Sequence, residues 1–412
     1  MGLSAQVHVH AYLPNIKTLK AERLAWVDEL RTMKTIERPF LVLNDGLVDG
    51  SDDENTLLVS FDEMSHDVHM YSYSVQHLNY DGSPSGLTSS EYLNGFTTGD
   101  IRNYEHSLNT TRAYTHYAFR FPNEDMQLTK SGKYRLLIYE DNDPDKRVGE
   151  VEFLVVEPLA QIVPNLRYDT QLEINGRYQQ LEIELNLSAL SVRDPNEFKV
   201  VVEQNNRLDN QVVLTQPTFV QGDRLRYVNK KELVFEGGNE YRHFDSYSTY
   251  FAGMHIDRIS FFNNDYHALL MPDECYNSGE QYIHEYDANG MYVVNAERTN
   301  DVETEAEYMW VHWTLPVDKP WLDGAVYVGG DLFENRIGAA NRMDYDERNK
   351  CYYLNALVKQ GGYNYQYWFV SNAKTTTQRT DGSYWQTSNQ YAIYVYYRPF
   401  GARYDRLIGL SL

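Results

Sequence analysis

Residues 181–187, Leu-Glu-Ile-Glu-Leu-Asn-Leu, alternate apolar and polar side chains without a break. Residues 149–155, Gly-Glu-Val-Glu-Phe-Leu-Val, follow nearly the same rule, and residues 363–369, Tyr-Asn-Tyr-Gln-Tyr-Trp-Phe, follow it with aromatic rings. Because successive side chains of a strand point to opposite faces, a period of two predicts β-strands with one buried face. These stretches therefore predict an all-β protein.

Turn-forming dipeptides separate the predicted strands: Asp81-Gly82, Ser131-Gly132, Asn289-Gly290, Gly361-Gly362 and Asp381-Gly382. Short strands divided in this way indicate β-sandwiches rather than alternating strands and helices. The 35 tyrosines favour the same class, since tyrosine suits a pleated, half-buried surface. For residues 19–33 two interpretations stay open, an amphipathic helix through Leu24, Val27 and Leu30 or an extended arm.

The predicted domain organisation is three tandem immunoglobulin-like β-sandwiches. The first boundary follows Pro158, because proline cannot continue a central strand, and the second lies at an acidic stretch near residue 303. The domains are residues 1–158, 159–303 and 304–412. The last domain contains five of the six tryptophans, and its strand order resembles the early-set immunoglobulin-like domains that include glycogen-binding modules.

The net charge of −22 disfavours binding to nucleic acid or to anionic lipid, since both need a basic surface. No apolar run reaches the roughly 18 residues that a membrane-spanning helix requires, so we expect no direct membrane insertion. Residues 39–101 contain no lysine or arginine but eleven acidic residues. This run predicts either a solvated acidic face or a surface that attracts a basic partner. Asp49, Asp52 and Asp53 are its candidate contact residues.

Motifs for catalysis, metal binding or cofactor binding are not found in the sequence. The pairs at His8 and His10 and at His66 and His69 lack a third nearby ligand. Residues 141–145, Asp-Asn-Asp-Pro-Asp, have the acid spacing of a calcium loop but fit a hairpin turn better. We therefore predict no enzyme activity, no metal and no cofactor. Cys275 and Cys351 are predicted to be free thiols in different domains.

Trp368 is the candidate residue for a second function. It alternates away from Tyr365, Tyr367 and Phe369, so we expect its ring to point outward. A large apolar ring on the surface suggests a contact, and stacking on a sugar is the contact that Trp368 would suit.

Residues 90–117, SEYLNGFTTGDIRNYEHSLNTTRAYTHY, fit neither a helix nor a regular strand. Glu91, Tyr92 and Phe96 are candidate partner contacts in this stretch. Its tyrosines Tyr114 and Tyr117 have a structural interpretation, because their hydroxyls could bond to backbone and tie a loop to the sandwich.

Several motifs carry a resemblance to a known family: residues 58–62 (LVSFD), 90–96 (SEYLNGF), 114–117 (YTHY), 121–124 (FPNE), 131–134 (SGKY), 238–242 (GNEYR), 287–290 (DANG) and 396–398 (YYR). They span nearly the whole chain, and the chain closely resembles the type IX secretion system plug proteins. One departure is visible. The family usually has His-Cys-Asp and a tryptophan before its Ser-Glu-Tyr-Leu motif, where this chain has residues 77–79, HLN, and 82–84, GSP.

The resemblance implies a non-enzymatic plug that binds and seals the periplasmic end of the outer-membrane type IX translocon barrel. It also implies a periplasmic protein at the inner face of the outer membrane, which we expect to be monomeric apart from the translocon. Residues 3–6, Leu-Ser-Ala-Gln, resemble the tail of a removed signal peptide. The alternative function is a carbohydrate-binding β-sandwich protein of the cell envelope.

Overall fold

The computed structural model describes residues 7–24, 40–190, 194–276, 281–372 and 374–411. Sheets dominate the described chain, and its two α-helices, α1 (Ser89–Tyr92) and α2 (Val302–Glu305), are one turn long. The all-β prediction is therefore confirmed. The immunoglobulin-like and early-set details stay predictions.

Two sheets form a first sandwich from the N-terminal strands. Its strands are β1 (His8–Ala11), β2 (Ile16–Arg23), β3 (Leu41–Val42), β4 (Leu57–Glu63), β5 (Tyr71–Leu78), β6 (Leu93–Gly95), β7 (Thr98–Ile101), β8 (Asn103–His106), β9 (Thr115–Phe121), β10 (Met126–Leu128), β11 (Gly132–Glu140) and β12 (Arg147–Val156). The sheets have the orders β1-β12-β11-β5-β7 and β2-β4-β9-β8, while β3 pairs with β12 and β6 pairs with β10. They enclose one apolar core.

A second sandwich begins with β13 (Gln161–Arg167), β14 (Tyr178–Asn186), β15 (Phe198–Gln204), β16 (Val212–Leu214), β17 (Phe219–Gln221), β18 (Arg224–Tyr227) and β19 (Val234–Glu236). A third is formed by β20 (Arg242–Asp245), β21 (Ile256–Phe262), β22 (Asp265–Leu270), β23 (Tyr292–Val294), β24 (Tyr308–Pro316), β25 (Ala325–Gly329), β26 (Asp344–Asp346), β27 (Cys351–Lys359), β28 (Gly361–Ser371) and β29 (Lys374–Thr376). The last strands are β30 (Tyr391–Tyr397) and β31 (Arg406–Ser411).

Strand pairing joins segments from both sides of the predicted boundary at residue 303. β30 pairs with β15 and completes the second sandwich in the order β16-β15-β30-β31. β20 and β23 pair with β28, and β22 pairs with β24. The bounds 1–158, 159–303 and 304–412 stay a prediction, and we propose that the third unit is nested within the second. Local sequence patterns do not reveal that the chain returns to the second sandwich after it has formed the third.

The alternating stretches are strands with buried apolar faces. In β14, Leu181, Ile183 and Leu185 enter the core of the second sandwich. Strand β12 is buried on both faces. Its residues Leu154 and Val156 point away from the first core and pack against Tyr394 and Tyr396 of the second sandwich. This packing joins the first two sandwiches through an apolar interface.

The structure bears on the expectations for residues 90–117 and for residues 19–33. Residues 90–117 were expected to be irregular, but they form α1, β6, β7, β8 and the start of β9, so that prediction is wrong. β8 is exposed along its whole length, so no burial pattern marks it in the sequence. For residues 19–33, the part up to Arg23 belongs to the strand β2, while residues 25–39 lie outside the described residues.

Candidate functional site

Backbone hydrogen bonds to residues 122–128 place the predicted acidic turn and Phe96 side by side. β10 pairs with β6 on one flank, and the Val48 amide donates to the Leu128 carbonyl on the other, at 2.8 Å. The Phe96 amide donates to the Asp125 carbonyl at 2.8 Å. The loop from residue 122 to 128 therefore holds the turn that contains Asp49 and the turn that contains Phe96.

The resulting surface combines negative charge with one apolar ring. We call it the acidic surface, and it consists of Asp49, Asp52, Asp53, Phe96, Glu124 and Asp125. All its members are exposed except Asp49, which is half-exposed. Sequence reasoning missed Glu124 and Asp125, because only the pairing of β6 with β10 brings them beside the acidic run.

Local hydrogen bonds fix the acidic turn. Asp49 accepts from the Ser51 hydroxyl at 2.7 Å and from the Ser51 amide at 3.0 Å, and these bonds hold the pKa of Asp49 below its ordinary value. Asp52 accepts from the Glu54 amide at 3.0 Å and caps a short 3₁₀ turn. Both carboxylates are thus held in place while remaining accessible to a partner.

The three candidates of the 90–117 stretch have different environments. The Phe96 ring is 66% exposed, whereas Tyr92 is buried and its hydroxyl donates to the Val75 carbonyl at 3.1 Å. Glu91 is half-buried, accepts from the Thr88 amide at 2.8 Å and pairs with Arg403. Only Phe96 has the exposure that a contact residue needs, while Glu91 and Tyr92 anchor the helix that precedes it.

The acidic run does not lie wholly on the surface. Asp62 is buried and lies 2.6 Å from the equally buried Nζ of Lys359 in the third sandwich. The Tyr308 hydroxyl donates to the same carboxylate at 2.7 Å, and His116 Nδ1 lies 2.7 Å from its other oxygen. Burial opposes the ionisation of Asp62, but Lys359 and His116 outweigh it and lower the pKa of Asp62 below its usual value.

Further polar contacts join the first sandwich to the third around this pair. Lys359 also donates to the Glu303 carbonyl at 2.7 Å, and its ammonium lies 4.4 Å from the centre of the Tyr114 ring. Arg112 forms two hydrogen bonds to Asp265, at 2.6 and 2.7 Å. A charge buried among such donors and rings is satisfied only when both sandwiches keep this relative position.

The structural interpretation of the two tyrosines is confirmed. The Tyr114 hydroxyl donates to the Ala306 carbonyl at 2.9 Å, so it bonds to the third sandwich rather than to its own. The Tyr117 hydroxyl accepts from the His69 amide at 3.0 Å and ties down the loop after β4. Both residues are fully buried.

Trp368 does not point outward, so that prediction is wrong. It does alternate away from Tyr365 and Tyr367 in β28, but it is fully buried because the second sandwich covers that face of the strand. The Arg207 guanidinium lies 4.6 Å from the centre of its ring. The ring therefore has no face available for stacking on a sugar.

No three His, Cys, Asp or Glu side chains of the described residues cluster in a way that would hold a metal ion. Residues 141–145 form the hairpin turn between β11 and β12, where Lys146 lies 2.7 Å from Asp141. Cys275 and Cys351 are free thiols, as predicted. Both lie in the third sandwich rather than in different domains, and burial raises the pKa of Cys275 to about 11.

No helix of the described residues is long and apolar enough to cross a membrane. The fold and the acidic surface define an all-β protein built of packed sandwiches, with an accessible charged surface as its candidate site. Residues 47–157 match the family described as the type IX secretion system plug protein first domain. The chain belongs to the type IX secretion system plug family, as its motifs predicted.

A solved structure is similar to the chain over its whole length. The crystal structure of a hypothetical protein from Parabacteroides merdae shares 35% sequence identity, with 99% of each chain covered and a TM-score of 0.91. No curated protein matches the chain. The family is one of secretion-system plug domains and is not known as an enzyme family.

Proposed function

We propose that this protein is a non-enzymatic plug that binds and seals the periplasmic end of the outer-membrane type IX translocon barrel. The observation that carries the proposal is the match of residues 47–157 to the first domain of the plug family. The matched segment contains every residue of the acidic surface, so the family domain and the candidate site coincide. Its action requires binding, and a stable seal needs an interface of roughly 1,600 Å² or more.

The acidic surface supports a contact with a basic rim. Residues 40–101 provide no cationic side chain that could neutralise it from within the same segment. Long-range attraction speeds the encounter of oppositely charged partners, and it acts over about 8 Å at physiological salt. Phe96 would add an apolar anchor inside the charged contact, as aromatic residues do in many interfaces. We place Asp49, Asp52, Asp53 and Phe96 in the contact, with Glu91 and Tyr92 as its supports.

The joint between the first and third sandwiches supports the mechanical part of the proposal. A seal must resist displacement as one body, and the buried Asp62–Lys359 pair penalises any separation of the two sandwiches. The protein would leave the pore as a unit when cargo engages, and its net charge of −22 would keep the released form in solution. The proposed location is the periplasm, at the inner face of the outer membrane, and the proposed free form is a monomer.

A pull-down from detergent-solubilised outer membranes tests the proposal. The tagged protein should retain one large β-barrel protein of the type IX system, identified by mass spectrometry, in near-stoichiometric amount. A control variant carries Asp145→Lys, Asp257→Lys and Glu347→Lys, which reverse three exposed acids outside the acidic surface. This variant should retain the barrel as well as the wild-type protein does. Absence of any type IX component from the wild-type eluate would contradict the proposal.

The carbohydrate-binding alternative rested on Trp368, whose buried ring gives it no support. A glycan array on the purified protein distinguishes the two functions. Binding of a sugar that depends on the third sandwich would favour the alternative.

A further inference from the structure

A cleft of about 1010 Å³ lies where the three sandwiches meet. The first sandwich lines it with residues 10–14 and 16–19, the second with Leu208 and Asp209, and the third with residues 332–341 and 355–359. Strand β1 borders one part of the cleft, where His10 Nδ1 lies 2.7 Å from a Glu334 carboxylate oxygen. The cleft lies apart from the acidic surface, none of whose residues lines it.

One wall of the cleft is an open strand edge. β26 pairs with only the first three residues of β27, and in the part of the chain that the structure describes no strand pairs with residues 354–359 on that side. Five consecutive residues of this edge, 355–359, line the cleft. An unpaired edge presents a row of backbone donors and acceptors that can pair with another strand.

The hydrogen-bond alternation shows which backbone groups face the cleft. The Val317 amide donates to the Lys350 carbonyl at 2.9 Å, so this pair is hydrogen-bonded, and in an antiparallel ladder every second pair is. By that alternation, Asn355 and Leu357 direct their backbone groups away from β24. The Lys359 carbonyl follows the same rule and accepts from the Tyr363 hydroxyl at 2.6 Å. The amides and carbonyls of Asn355 and Leu357 are thus available on the cleft side.

The charges in the cleft favour an anionic occupant. Apart from Lys17, each charged residue that lines it lies beside an ionisable partner: Glu334 beside His10, Asp209 beside Arg207, Arg336 beside Glu150 and Lys359 beside Asp62. Lys17, from the facing edge strand β2, forms no salt bridge among the described residues. Burial lowers the pKa of Lys17, while the nearby charge of Glu334 acts in the opposite direction. A carboxylate in the cleft would compensate it.

We propose that this cleft binds an extended polypeptide segment of a partner protein, which adds a strand to the open edge of β27 and places an acidic side chain against Lys17. A strand of five residues occupies roughly 800 Å³ at ordinary strand and sheet spacings, which the cleft can hold. Backbone pairing supplies the affinity in this mode of recognition, and side-chain pockets supply selectivity. Trp310 and Leu357, neighbours across β24 and β27, provide an apolar wall. The site does not depend on the contact with the translocon.

Binding of blocked heptapeptides to the purified full-length chain tests the proposal. The probe alternates valine and threonine around a central glutamate, and two matched peptides carry either glutamine at the centre or N-methyl groups along one backbone edge. The glutamate peptide should bind about tenfold more tightly than the glutamine peptide. The N-methylated peptide, which keeps every side chain but cannot pair with a strand edge, should not bind.

Two variants separate the backbone and charge components. Lys17→Gln should abolish the preference for glutamate while retaining binding. Leu357→Pro should remove an edge donor without removing a bond to β24, and should abolish binding. In case Leu357→Pro does not fold, hydrogen exchange on the wild type provides an independent reading, with protection of the Asn355 and Leu357 amides by the peptide. No binding by the glutamate peptide, or equal binding by the N-methylated peptide, would overturn the proposal.

Discussion

Lys359 Nζ lies 2.6 Å from Asp62 Oδ2, and both side chains are almost completely buried at the junction of the first and third sandwiches. The two residues are separated by 297 positions in the sequence. Neither charge can be left unpaired at low cost, so the pair commits the two sandwiches to a single arrangement. In the proposed plug, this joint makes the first sandwich and the third move together.

Replacing Lys359 with methionine should destabilise the protein by about 3–5 kcal/mol, because Asp62 would remain buried without its cation. The matched control is Lys374→Met, since Lys374 is 72% exposed and pairs with Glu236 at 3.3 Å. Exposed pairs of this kind contribute about 0–1 kcal/mol. Thermal unfolding of the two variants gives the comparison. Equal midpoints for both variants would show that the buried pair does not hold the sandwiches together.

Glu152 should make stability depend on pH in the acid range. Burial opposes its ionisation, but Lys133 at 2.7 Å and Arg135 outweigh this and lower the pKa of Glu152 from 4.5 to about 2. A depressed folded-state pKa stabilises the protein above pH 4.5, and this contribution is lost as the pH falls towards 2.

The gap in stability between wild type and Glu152→Gln should therefore be at most about 3 kcal/mol near pH 6 and should shrink as the pH falls towards 3. Urea unfolding at the two pH values measures it. Glu347→Gln, a change at an exposed residue of the third sandwich, is the control and should show no gap. A Glu152 gap that stays constant with pH would contradict the assigned ion pairs.

Phe96→Ala and Tyr92→Ala should have opposite consequences. Phe96 is exposed, so its removal should leave the unfolding midpoint nearly unchanged and reduce retention of the translocon in the pull-down. Tyr92 is buried and hydrogen-bonded, so its removal should cost about 3–5 kcal/mol of stability. Loss of stability in Phe96→Ala, with unchanged retention of the partner, would remove Phe96 from the contact.

Reversing the charge of Asp49, Asp52 and Asp53 to lysine should weaken retention of the translocon. The sandwich cores should stay intact because none of the three is buried, and only the local hydrogen bonds of the turn are lost. The effect should be largest at low ionic strength and should diminish as added salt screens the wild-type attraction. Retention measured at two salt concentrations, against the three-acid control variant, checks this. Undiminished retention at low salt would show that the acidic surface is not part of the contact.

The sequence predicted the sheets well where burial is one-sided. Leu181, Ile183 and Leu185 alternate with polar residues and enter a core, as the period of two requires. Trp368 followed the same alternation correctly, yet its face of β28 is covered by Arg207 from another sandwich. Local periodicity gives the direction of a side chain but not what lies opposite it.

The candidate site was only partly predictable for the same reason. The acidic run was visible as a charge pattern, but its division into exposed Asp52 and buried Asp62 depends on distant partners such as Lys359. Glu124 and Asp125 join the acidic surface through strand pairing. No local pattern in the sequence encodes these long-range contacts.

Outer-membrane permeability tests the sealing role most directly. Cells that lack this protein but retain an idle type IX translocon should admit a large hydrophilic probe that wild-type cells exclude, and the exclusion should return when the wild-type chain is supplied. The chain with Asp49, Asp52 and Asp53 reversed to lysine should restore it poorly, and the three-acid control chain should restore it fully. Equal exclusion of the probe with and without the protein would contradict the proposal that it seals the translocon.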